Sequence, residues 1–76
     1  MSHHELDARQ LLCPLPVIRT QERVAMLQPG DTLTVRCTDR GALHDIPAWC
    51  RVHGHMVTAT RREEAEITIT VKVLGA

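Results

Sequence analysis

Residues 32–38 read Thr-Leu-Thr-Val-Arg-Cys-Thr, polar and apolar in strict alternation. Successive side chains of a strand point to opposite faces, so Leu33, Val35 and Cys37 share one face and Thr32, Thr34, Arg36 and Thr38 the other. A strand apolar on one face only belongs in a sheet covered on one side and wet on the other. The pattern recurs over Ala65–Val73, where Ala65, Ile67, Ile69, Val71 and Val73 alternate with Glu66, Thr68, Thr70 and Lys72. Shorter versions span Glu5–Arg9, with Leu6 and Ala8 inward, and Met56–Thr60, with Val57 and Ala59 inward. Arg61-Arg62-Glu63-Glu64 is a polar hairpin connection to the last strand.

Two helical stretches fill the gaps. From Pro14 to about Gln28, Val17, Thr20, Gln21, Val24 and Leu27 form one stripe, flanked by Ile18 and Ala25. Pro29-Gly30-Asp31 ends that helix. A Pro47 inside a helix begun at Arg40 would remove its bond to the Leu43 carbonyl. The expectation is therefore a turn over 39–44, Asp45 as N-cap and a helix to His53, with Gly54 just past its end. Ile46, Trp49, Cys50 and His53 would form its inner face. The order is β-α-β-α-β-β in one domain spanning residues 1–76. One-sided strands and two amphipathic helices make an α/β (α+β) two-layer sandwich with both helices on one face of the sheet. The last strand, longest and most apolar, should lie centrally. Right-handed crossovers make the first two strands parallel and end them at the same edge. That edge, where sites in α/β sheets gather, would bring Cys13 beside the segment Thr38–Asp45.

Cys13 opens the sequence Cys-Pro-Leu-Pro at the start of the first helix. Proline is tolerated in a first helical turn, so Pro14 and Pro16 read as N1 and N3, with Cys13 at the N-cap. A thiol on the positive end of a helix dipole is expected to have a lowered pKa and a reactive thiolate. Pro14, Pro16, Arg9, Arg19 and Asp45 are the supporting candidates around it, and Arg40 is a further basic neighbour. Leu15, Arg19 and Met26, on the outer side of the helix, are the candidates for partner binding. Cys37 and Cys50 fall on apolar faces and read as buried thiols. Asp39, like Asp45, reads as a cap.

Nine basic and nine acidic residues cancel, which argues against nucleic-acid binding and against an anionic membrane surface. No apolar run approaches membrane-spanning length, and the first residues lack the apolar core of a signal peptide. Three widely spaced cysteines fit neither a disulfide framework nor a zinc site, and the histidines His44, His53 and His55 add no second pair at ligand spacing. A cytoplasmic protein with free thiols, no metal and no cofactor is expected. With 76 residues the core is modest, about 60% of the unfolded surface being buried at this size. A surface thiol that hands something to another protein suits such a domain better than an enclosed pocket.

Leu6-Asp7-Ala8-Arg9, Cys13-Pro14-Leu15-Pro16, Gln28-Pro29-Gly30-Asp31 and Asp45-Ile46-Pro47-Ala48-Trp49-Cys50, followed by Gly54-His55, together resemble the TusA (SirA-like) sulfur carrier family. The resemblance runs from about Leu6 to Val73. It implies a mixed four-stranded sheet of order 1-2-4-3 with strand 4 antiparallel to the rest. It also implies that Cys13 carries sulfane sulfur as a persulfide. The sulfur would come from a donor protein, a cysteine desulfurase or a rhodanese-type sulfurtransferase, and pass to an accepting protein. Family routes lead to tRNA thiolation, molybdenum cofactor metabolism and sulfur oxidation. The resemblance describes a carrier in relays rather than a turnover enzyme. It implies glycine at the position held by Gln10, a residue able to take an unusual backbone conformation.

Two other functions compete. One is a non-enzymatic regulatory or adaptor module in which Cys13 is incidental. The other is a dithiol redox protein pairing Cys13 with Cys50 as resolving thiol. For the sulfur carrier, a monomer is expected.

Overall fold

The computed structural model describes residues 1–75. It contains β1 (His3–Ala8), α1 (Leu15–Val24), β2 (Thr32–Cys37), α2 (Ala42–His53), β3 (Met56–Arg62) and β4 (Ile67–Lys72). The four strands form one sheet in the order β1-β2-β4-β3. β1 is parallel to β2, and β4 is antiparallel to both β2 and β3. This is the expected topology with the last strand inside the sheet, although β3 rather than β4 is the longest.

The alternation in β2 holds residue by residue. Leu33, Val35 and Cys37 are fully buried, and Ile67, Ile69 and Val71 of β4 lie on the same face. Cross-strand pairs Leu33–Val71, Val35–Ile69 and Cys37–Ile67 stack this apolar layer. The helices close it with Pro16, Thr20 and Val24 of α1 and Ala42, Ile46 and Cys50 of α2. Thr20 enters the core because its hydroxyl donates to the Pro16 carbonyl at 2.8 Å, which satisfies a buried polar group.

Several local expectations are corrected. β1 begins at His3, two residues early. Its polar start is held by pairing with β2 and by His3 Nδ1 and Thr32 Oγ1, 2.7 Å apart. α1 is shorter at both ends: Pro14 is its N-cap and Val24 its last residue. Ile18, expected on the buried flank, is 41% exposed.

α2 starts at Ala42, with Gly41 and not Asp45 as its N-cap, and Pro47 lies inside it. The chain enters through tight three-residue bonds, from Ala42 to Asp39, Leu43 to Arg40 and His44 to Gly41. Pro47 removes a single later bond, which the packed helix tolerates. Gly54, in the left-handed region at φ 78°, ends α2 as expected. Trp49 is only half-buried and His53 is exposed, yet their rings lie 4.9 Å apart.

In β3 a bulge between Val57 and Ala59 shifts the register. An extra residue turns every later side chain to the opposite face, so Ala59 pairs with Thr70 on the open side and is exposed. β3 also runs on to Arg62, and the connection tightens to Glu63–Glu66, with the Glu63 N–H on the Glu66 carbonyl at 2.9 Å.

Candidate functional site

The parallel strands β1 and β2 end at one edge, and the segments that follow them meet there. Gln10, at φ 67°, turns the chain out of β1 and donates its backbone N–H to Thr38 Oγ1 at 2.8 Å. The Leu15 N–H on the Leu12 carbonyl (2.8 Å) then leads into α1, and the Cys13–Pro14 peptide bond is cis. Cys13 therefore stands one residue outside the N-cap. It faces the loop after β2 and the first turns of α2, as the topology predicts.

Two carboxylates hold it there. The Cys13 N–H donates to Asp39 Oδ2 at 2.7 Å. Asp39 Oδ1 accepts the Gly41 N–H at 3.2 Å, so one side chain ties the cysteine loop to the entry of α2. The thiol donates to Asp45 Oδ2 at 3.0 Å. Asp45 is thus a partner of the sulfur rather than a helix cap.

The electrostatics reverse the expectation of an acidified thiol. Cys13 is raised above the ordinary thiol value, first by the hydrogen bond to Asp45, then by desolvation and by the negative charges of Asp45 and Asp39. The helix dipole acts mainly within the first turn; Cys13 lies outside it and beside two anions.

The basic candidates are engaged elsewhere. Arg9 forms a two-bond pair with Asp7, both contacts 2.9 Å, and reaches Glu66 at 3.5 Å. That pairing holds the Asp7 carboxyl far below the usual carboxylate range. Arg19 pairs with Glu22 at 3.1 Å. Arg9 and Arg19 line one groove with Gln10, Leu11, Thr38 and Glu66; Arg40 lines a second with Leu43 and Arg62. Pro14 is exposed and Pro16 buried.

Leu15 (39%) and Met26 (77%) are exposed as expected, but Leu15 opens α1 and Met26 lies two residues past its end, so they do not make one patch. Leu12 (73%) and Ile18 (41%) are exposed apolar residues that sequence reasoning missed. With Leu15 they surround the cysteine end of the helix. The face that α1 buries runs through Pro16, Thr20 and Val24, and Ile18, two positions from both Pro16 and Thr20, points away from it at about 100° per residue.

Cys13 is exposed, while Cys37 and Cys50 are buried. Burial pushes both internal thiols up to about 11. A resolving role for Cys50, 1% exposed on the inner face of α2, would require that helix to lift from the sheet. Among the described residues no three His, Cys, Asp or Glu side chains are grouped to hold a metal ion. No helix among them is long and apolar enough to cross a membrane.

Comparison with known proteins agrees with this architecture. The family described as sulfurtransferase TusA matches residues 4–73. A Neisseria meningitidis serogroup A protein named "Putative sulfur carrier protein NMA0882" is 39% identical over 72 residues, covering 95% of this chain and 97% of its own. The Bacillus subtilis protein named "Putative sulfur carrier protein YrkI" is 44% identical over 50 residues, 66% of this chain and 67% of its own. A crystal structure of a SirA-like protein from Desulfitobacterium hafniense superposes with a TM-score of 0.82 at 22% identity, covering 93% of this chain and 97% of that one; it supports the fold. With nearly its whole length matched in sequence, the chain belongs to the TusA family.

Proposed function

We propose that this protein is a sulfur carrier in which Cys13 takes up sulfane sulfur as a persulfide and relays it to a second protein. The observation that carries this reading is that Cys13 is the one exposed cysteine of three, set at the carboxyl edge of two parallel strands in a chain of this family. Cys13 is exposed and lines neither groove near that edge, so the chemistry takes place in contact with a partner. The donor is a cysteine desulfurase or a rhodanese-type sulfurtransferase. The acceptor is a protein of tRNA thiolation, molybdenum cofactor metabolism or sulfur oxidation. Leu12, Leu15 and Ile18, with Arg19 at their margin, supply the apolar area a docking partner would cover. The protein works as a cytoplasmic monomer, where free thiols persist.

The test is to supply a cysteine desulfurase with cysteine labelled in its sulfur. Label should pass to the wild type and to a Cys37→Ser, Cys50→Ser double variant, and fail to pass to Cys13→Ser. A Cys13→Ser protein that accepts label normally would end the proposal.

A further inference from the structure

The sequence suggests that Asp45 serves as a helix cap, but its carboxylate has another use. Its backbone N–H is already bonded to the Gly41 carbonyl at 3.0 Å within the helix entry, and its side chain points to the Cys13 sulfur at 3.0 Å. Asp39 stands beside it. A Cβ placed on Gly41 would meet Asp39 Oδ2 at 3.6 Å and Asp45 Oδ2 at 3.7 Å, so the two carboxylates flank one point. The charges acting on the Cys13 sulfur are these two, Asp39 from the loop after β2 and Asp45 from α2, and both are negative.

Empty and loaded sulfur meet that field differently. A thiol is neutral at neutral pH and has a proton to donate. A persulfide is a stronger acid than its parent thiol, so the loaded sulfur is an anion with no proton to give. A carboxylate within hydrogen-bonding distance therefore favours the empty form twice, by accepting the S–H and by repelling the anion.

We propose that Asp45 is a positioning residue that raises the sulfur-transfer potential of Cys13, stabilising the empty thiol and destabilising the loaded persulfide so that the carrier readily gives its sulfur up. This rests on the persulfide reading of Cys13. In loading, Cys13–SH and a donor persulfide anion R–S–S⁻ give Cys13–S–S⁻ and R–SH. The new S–S bond forms as the donor's S–S bond breaks, the donor sulfur leaves with that electron pair, and it takes the proton Cys13 loses. The reverse flow, from Cys13–S–S⁻ to an acceptor thiol, is the direction Asp45 favours.

The experiment equilibrates the protein with glutathione persulfide and glutathione at a fixed ratio and reads the loaded fraction by intact mass. The comparison is with Asp45→Asn, nearly the same size without the charge, and Asp45→Glu, which keeps the charge. In parallel, the pH profile of Cys13 alkylation by iodoacetamide is measured. Asp45→Asn should hold several-fold more sulfur, and its alkylation midpoint should fall by about one pH unit; Asp45→Glu should stay closer to wild type in both. Equal or lower loading of Asp45→Asn, or an unmoved alkylation profile, overturns the proposal while leaving the carrier reading intact. A wild type that alkylates at Cys13 yet takes up no sulfur overturns the carrier reading and this proposal with it.

Discussion

Gln10 holds a backbone conformation that a side-chain-bearing residue adopts at a cost. At φ 67° an L-residue brings Cβ against its own carbonyl, a strain of about 1–2 kcal/mol. The turn it makes directs the chain from β1 to Cys13, with its N–H anchored on Thr38. Gln10→Gly should relieve that strain, offset in part by the greater freedom of glycine in the unfolded chain. A net gain of roughly 0.5 kcal/mol in urea unfolding is expected, with the Thr38 bond kept. The resemblance to the TusA family marked this position by implying glycine there; the residue type alone carried no such signal. The cysteines were legible one by one, since Cys37 and Cys50 sit at apolar steps of periodic segments. In native protein a thiol reagent should modify Cys13 alone, with Cys37 and Cys50 reacting only after denaturant is added. What the residues concealed was the charge around Cys13: Asp39 and Asp45 lie 26 and 32 positions away, and only the fold brings them to the sulfur.

At the scale of elements, period-2 alternation made β2 and β4 readable to within a residue or two, and the 3.6-residue stripe located α1. The failures have particular causes. A proline argued for a break where α2 tolerates the loss of one bond. A bulge at a run of ordinary residues, Val57-Thr58-Ala59, left no glycine to announce it. The turn from α1 into β2 depends on Asp31, which accepts the Gln28 N–H at 3.0 Å and the Ser2 N–H at 2.9 Å. Those two bonds, in that order, lower its pKa. Its folded value lies below the unfolded value of about 3.9. The stability it contributes is therefore fully present above that pH and is lost as pH falls through the folded value. Urea midpoints measured from pH 5 downward should fall for wild type and fall less steeply for Asp31→Asn. Ile46 is fully buried between α2 and the sheet, and Ile46→Ala should cost about 2–5 kcal/mol through lost burial and the cavity left behind, read by the same unfolding measurement.

Taken whole, the molecule is a small domain built on a thin core. Its radius of gyration, 11.0 Å, matches a compact single chain of this length, about 11 Å. A total stability of about 4–11 kcal/mol is usual at this size, so the Ile46→Ala loss would consume much of it. Two helices cover one face of the sheet, the other face is wet, and the edge where β1 and β2 end carries an exposed thiol held by carboxylates and bordered by exposed apolar residues. In the proposed role, this layout would leave sulfur chemistry to a surface that another protein can cover. The most direct test is to load the wild-type protein with a cysteine desulfurase and cysteine, then locate the added mass by peptide mapping. A gain of whole sulfur atoms is expected on the peptide containing Cys13, removed by thiol reductant. Added sulfur on the Cys37 or Cys50 peptide instead, or none on any, would contradict it.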